Sequence, residues 1–290
     1  MGILLGLLTA LTWGGSDFLA RFATQRIGTL RTMLYMQSTG LVILSCLLPW
    51  LGGWGHLHDG SGWQPWAWGV LAGCLNAFST LTLYRSFEIG KLSVVAPLSA
   101  SYPALTVILS LLTGEHLTAA RAAGIISVML GVALVAHGEQ APHQDDVEGN
   151  ARSGKGLGWA ICSAFGFGVL FWLLGNRIVP RVGAAQGVWM IRVTCVFLTT
   201  LIILFAKQPI RLPRGHVRWY VWCMGLLDTN AFVLSNRGMQ LEQVAIVSVL
   251  GSLYGAVTVG FASIFLKEHV AKMQWAGIVT IFAGIFLISL

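Results

Sequence analysis

A chain of 290 residues that is 56% hydrophobic and only 10% charged has too few ionic groups to cover a water-facing surface, since soluble domains carry about 25% charged residues. With a mean hydropathy of +0.74, it reads as an all-α integral membrane protein. The net charge of +7 does not point to nucleic acid, because the basic residues lie at helix ends and form no patch.

Ten apolar runs follow one another: 3–22, 29–51, 66–87, 92–113, 119–137, 157–178, 184–206, 217–238, 243–264 and 271–290. Each approaches the roughly 20 residues a helix needs to cross a bilayer. The first is no signal peptide, as no basic residue precedes it and Asp17 interrupts its far end. Trp13 lies one turn before Asp17 and Arg21 one turn after, so an Asp17–Arg21 pair near the membrane surface is expected. The alternative is a coupling role for Asp17.

The third run carries Asn76. In the fourth, Pro97 and Pro103 interrupt the hydrogen-bond ladder amid Ser93, Ser99, Ser101 and Tyr102. Freed carbonyls in a membrane must face protein or a wet cavity. This is either a simple kink or the broken helix at which carriers place substrates. Glu115 and His116 follow in a short turn, where a carboxylate is expected to cap the next helix; proton coupling is the alternative. Gly124 and Gly131 put small residues on one face of the fifth run, which reads as packing scaffold.

Residues 138–156 are polar and form a linker. Beyond it, Arg192 lies inside the seventh run and Asp228 near the middle of the eighth. An isolated charge at such depth costs about 2.5–3.5 kcal/mol even on the lenient insertion scale. Asp228 must therefore be neutral, paired or facing water. Arg192 either pairs with it or binds a substrate carboxylate. The ninth run lacks proline but offers Ser248, Gly251, Ser252, Tyr254 and Gly255, and Gly277 and Gly284 sit in the tenth. Trp13, Phe78, Tyr84, Tyr102, Phe165, Phe167, Trp172, Trp222 and Tyr254 share these spans. Singly they read as core or lipid-facing; as a set beside polar residues they suit an amphipathic ligand. The five cysteines fit no zinc or redox spacing.

The two halves repeat one another. Glu115-His116, Ala123-Gly124-Ile125 and Gly131 return 153 residues later as Glu268-His269, Ala276-Gly277-Ile278 and Gly284. Gly73, Leu75 and Arg85 return after 152 as Gly225, Leu227 and Arg237, which sets Asn76 against Asp228. Such duplication in an apolar chain points to a carrier. Five runs on either side of the linker would insert the copies, 1–137 and 157–290, in opposite senses. The expected fold is thus ten transmembrane helices in two inverted five-helix repeats.

Trp13-Gly14, Ala96-Pro97, Gly114-Glu115, Gly124 and Gly131, with Glu268, Gly277 and Gly284, resemble the drug/metabolite transporter superfamily, specifically a tandem pair of EamA domains. In the second copy Lys267 replaces a glycine, Leu250 stands where Pro97 would, and Phe165-Gly166 takes the place of Trp-Gly. The resemblance covers nearly the whole chain. It implies a ten-helix carrier, usually an exporter of small metabolites or amino acids, with a central cavity.

The reading is a secondary transporter, taken as an exporter, of a small metabolite or amino-acid-like solute across the inner or plasma membrane by alternating access. No Walker-type loop suggests ATP, and no GxSxG, HExxH or metal cluster suggests an enzyme or cofactor. The rival is a structural or assembly subunit. Candidate substrate-binding residues are Asp228, Arg192, Asn76, Trp13, Ser99, Tyr102, Ser252 and Tyr254; Asp228 and Asp17 are candidate coupling residues, with protons as the candidate ion. The expected partners are the substrate and the lipid bilayer, for a monomer or homodimer. Thirteen of the 18 Lys and Arg residues flank odd-numbered loops, which by the positive-inside rule puts both termini outside. The family resemblance implies cytoplasmic termini instead.

Overall fold

The structure, a computed structural model, describes residues 1–51, 62–90, 92–138, 156–266 and 272–289. Trp54, Lys91, most of the linker and the Lys267-Glu268-His269 turn lie outside the described residues, as do the side chains of Ser93 and Pro97. Among the described residues every regular element is helical: α1 Gly2–Ile27, α2 Thr29–Leu47, α3 Gln64–Ile89, α4 Leu92–Ser99, α5 Pro103–Leu112, α6 Ala119–Gly138, α7 Leu157–Val182, α8 Ala184–Phe205, α9 His216–Leu241, α10 Val244–Gly251, α11 Tyr254–Leu266 and α12 Lys272–Ser289. Four of them, α1, α3, α7 and α8, are long and apolar enough to cross a membrane, and shorter apolar helices accompany them. Large apolar side chains such as Leu11, Phe78, Phe165, Phe197 and Phe282 point outward. That surface suits lipid, as expected of a multi-pass membrane protein.

The fourth and ninth runs are each two helices: of the two readings of the fourth, the broken helix is the one formed, while the break in the ninth departs from expectation. Pro103 has no N–H to continue the first ladder, and bonds of the tighter i+3 kind carry the chain around, Ser101 N–H to Leu98 O at 3.2 Å and Ala104 N–H to Ser101 O at 3.1 Å. The second break needs no proline. Ser252 turns its hydroxyl back onto Val249 O (2.7 Å), and Leu253 N–H reaches Leu250 O (3.2 Å). The Tyr102 hydroxyl donates to Ser248 O at 3.0 Å, so each break supports the other.

Two glycine corners shape the halves alike. Gly28 (φ 81°) turns α1 into α2, and Gly183 (φ 80°) turns α7 into α8, a conformation side-chain-bearing residues rarely adopt. Within α7, residues Leu174–Ile178 form a π-helical turn. Pro180 explains it, because its ring would strike the carbonyl of Asn176 in a regular helix.

The same close contacts recur in both halves. The Thr258 hydroxyl donates to Gly14 O (3.3 Å) and that of Thr106 to Gly168 O (2.9 Å). Phe167-Gly168, and not Phe165-Gly166, therefore stands where Trp13-Gly14 stands in the first half. The π turn then adds one residue, so that Thr39 packs on Gly225 as Thr194 packs on Gly73. In the α6–α12 crossing, a Cβ on Gly124 would lie 2.8 Å from Gly284 O, and one on Gly131 2.8 Å from Gly277 O. The helices run antiparallel in backbone contact, the scaffold role expected of these glycines.

Glu115 caps a helix, but not the one that follows it. Its carboxylate accepts Val244 N–H (2.8 Å) and Ala245 N–H (3.2 Å) at the start of α10, while the Thr118 hydroxyl accepts Arg121 N–H (3.3 Å) in the first turn of α6. Arg121 pairs with Glu242 at 3.1 Å beside it.

Candidate functional site

The two helix breaks meet in the centre of the bundle. Tyr102 ends the first break and Tyr254 the second, and their rings stack 6.5 Å apart at an interplanar angle of 14°. They border a cavity in the middle of the bundle. Trp13 of α1 stands edge-on to Phe171 (5.3 Å), Phe232 (5.2 Å) and Tyr254 (6.2 Å), and Phe167 stacks beside Phe171 at 6.1 Å. Edge-on aromatic pairs contribute about 0.5–1.5 kcal/mol each beyond burial, so the wall is stiff. Thr80, Leu83 and Tyr84 of α3 complete it.

One wall is ionic. Asp228 Oδ2 lies 2.5 Å from Arg192 Nη2, and Asp228 Oδ1 accepts the Trp13 indole N–H at 3.1 Å. Arg192 is wholly buried. Its Nη1 donates to Gln37 Oε1, and its guanidinium carbon lies 5.2 Å from the centre of the Phe232 ring. Gly40 leaves the room it needs: a Cβ there would strike Thr229 Oγ1 and lie 3.2 Å from Arg192 Nε. Of the two alternatives for Arg192, pairing with Asp228 is the one formed. Arg192 does not line the cavity but stands behind Asp228.

Asp17 lines the cavity, is 6% exposed, and has no hydrogen-bond or ion-pair partner among the described residues. The expected Asp17–Arg21 pair does not form. Arg21 Nη1 donates instead to Phe87 O and to Gly90 O (2.7 Å). Those carbonyls close α3, where the ladder leaves acceptors open and the helix dipole favours a cation.

The cavity therefore gathers Trp13, Asp17, Tyr84, Tyr102, Phe167, Tyr254 and Asp228 from the residues singled out in the sequence. It does not gather the others. Asn76 is fully buried and donates to Cys195 Sγ at 3.2 Å, Ser252 is spent on Val249 O, and Ser99 is packed in the core. Phe78, Phe165 and Trp222 are exposed on the outer surface. Sequence reasoning passed over Gln37, Gly40, Thr80, Phe171 and Phe232. Helical spacing held a signal for three of them: Phe171 is one turn beyond Phe167, Phe232 one turn beyond Asp228, and Thr80 one turn beyond Asn76. Among the described residues no group of three His, Cys, Asp or Glu could hold a metal.

The sequence pattern of the EamA-like transporter family matches residues 1–136 and again residues 154–290. The chain belongs to that family. This EamA-like protein is thus of the membrane-transporter type. An uncharacterized protein of Methanocaldococcus jannaschii is 30% identical to it over 134 residues, which cover 46% of this chain and 94% of the relative. A solved crystal structure superposes on 99% of this EamA-like chain and 95% of its own, with a TM-score of 0.77 and 18% identity, a likeness of fold.

Proposed function

We propose that this EamA-like protein is a secondary transporter that exports a small amphipathic metabolite across the plasma membrane by alternating access. Its ten spans form two inverted five-helix repeats, residues 1–137 and 157–290. The recurring contacts support this reading. Gly124 meets Gly284 as Gly131 meets Gly277 in an antiparallel crossing, and a two-fold axis that exchanges antiparallel helices runs across them, in the membrane plane. The Methanocaldococcus relative, covered over 94% of its length by 134 residues, is about one such repeat long. Export follows the expectation set by the family.

The observation that carries the proposal is the cavity at the crossing of the two broken helices. Broken helices at mid-depth are where carriers place substrate. At one end the halves are clasped by Glu115 on the α10 N-terminus, by Arg121–Glu242, and by the Gln243 amide on His116 O (2.8 Å). Opening that end is the second state of the cycle. Metabolite profiling of cells with and without the protein tests the reading. A several-fold rise of one amphipathic metabolite outside the expressing cells is expected. A new intracellular product with an unchanged medium would instead indicate an enzyme, and an unchanged medium with a stoichiometric co-purifying partner a structural subunit.

A further inference from the structure

We infer that the cavity takes a monovalent amphipathic cation, held by Asp17, and discriminates against zwitterions and anions. The inference rests on the transporter reading and narrows its substrate.

The site holds two carboxylates, Asp17 and Asp228, and one guanidinium, Arg192. Arg192 is consumed: it is wholly buried, pairs with Asp228 at 2.5 Å and donates to Gln37. Asp228 is consumed as well, since its second oxygen accepts from Trp13. Asp17 is left over, more than nine-tenths buried, on the cavity wall and with no partner among the described residues. A buried carboxylate without a counter-charge is costly, and one positive charge from a ligand removes the cost. No Lys or Arg lines the cavity among the described residues, so a substrate carboxylate would enter with nothing to meet it.

The remaining wall fits the same ligand. Trp13, one turn from Asp17, and Tyr84, Phe171 and Tyr254 line the same cavity. Aromatic faces attract a weakly hydrated cation such as an alkylammonium and bury its apolar body. The Tyr254 hydroxyl, 4% exposed, is also without a partner among the described residues and can bond a polar group on the ligand. The Asp17 position is unduplicated: following the Gly14–Gly168 equivalence, its counterpart is Phe171, so the repeat supplies no second unpaired carboxylate.

The test uses the purified full chain and three probes that share a phenylethyl body: phenethyltrimethylammonium, whose charge does not change with pH; its neutral carbon isostere, 3,3-dimethyl-1-phenylbutane; and the zwitterion phenylalanine. Binding is read by Trp13-sensitive fluorescence, with Trp13→Phe as the control for the signal. The cation should bind at least tenfold tighter than either other probe. Asp17→Asn should erase that preference at unchanged elution volume and at a melting temperature no lower than that of the wild type, and Asp17→Glu should keep it. If Asp17→Asn does not fold, the Glu variant and the three-probe ranking still decide. Equal or tighter binding of phenylalanine, or wild-type cation affinity in folded Asp17→Asn, overturns the inference. Flux in proteoliposomes separates the two claims. Cation binding without flux of any probe would sink the transporter reading and keep the cation site. Flux of phenylalanine with no cation binding would do the reverse.

Discussion

The α6–α12 crossing and the central cavity draw on the same repeated sequence and use it in opposite ways. At the crossing the contact residues of the repeat are kept: Gly124 and Gly131 answer Gly277 and Gly284, and the hydroxyl of Ser127 bonds the backbone of Thr280, its own hydroxyl-bearing counterpart (2.9 Å). Around the cavity Tyr102 and Tyr254 are kept, but the ionic positions are not: Asp17 corresponds to Phe171. Asp228 corresponds to Asn76, and by the Thr39–Thr194 equivalence Arg192 corresponds to Gln37, to which it is hydrogen-bonded. Contact between backbones leaves room for one residue type, so packing preserves the repeat. A ligand site has no reason to be symmetric, because its ligand is not.

The largest effect should come from breaking the kept repeat. Gly131→Val places a Cβ 2.8 Å from a backbone carbonyl that cannot yield, so the two helices must separate along the whole crossing. Fluorescence-detected gel filtration should show little monodisperse protein. A normal elution peak would mean that the α6–α12 crossing is looser than described.

Next comes the one-sided ion cluster. Arg192→Gln or Asp228→Asn alone leaves an uncompensated buried charge, at a cost of about 3–5 kcal/mol. The double variant Asp228→Asn, Arg192→Gln should recover most of that loss in a thermal-unfolding double-mutant cycle. Additive losses would show that the two side chains act separately. A milder break is Gly40→Ala, which crowds Thr229 and Arg192 Nε and should lower stability by about 1–3 kcal/mol. In the Arg192→Gln background that penalty should shrink, and an unchanged penalty would place the strain on Thr229 alone. The smallest effect belongs to Tyr102→Phe, which removes one hydrogen bond between the two breaks, worth about 0.5–1.5 kcal/mol. A larger loss would make that bond the hinge of the whole crossing.

Much of this was legible in the sequence, and the reason differs by feature. Helix positions and the glycine face followed from apolar length and small-residue spacing, both local properties. The break before Pro103 was legible because proline removes a donor. The break at Ser252 was not, since it rests on a hydroxyl and on Tyr102 from a distant segment. Asp228 and Arg192 stood out through the cost of burying charge, whereas Gln37 and Gly40 carry none and gave no such signal. Arg21 misled for a related reason: spacing favoured Asp17, but open carbonyls of α3, remote in sequence, compete for it.

Alternating access around this cavity is most directly tested by reaching it from each face. Thr80→Cys, on the cavity wall, is introduced after replacing the four exposed cysteines, Cys46, Cys74, Cys162 and Cys223. Right-side-out and inside-out vesicles are treated with a charged, impermeant thiol reagent. A second protein also carries Arg121→Cys and Glu242→Cys, bridged by a short bifunctional thiol cross-linker across the clasp. Modification from both faces is expected in the free protein, and from one face only after cross-linking, restored on reduction. Modification from a single face in both proteins would contradict it.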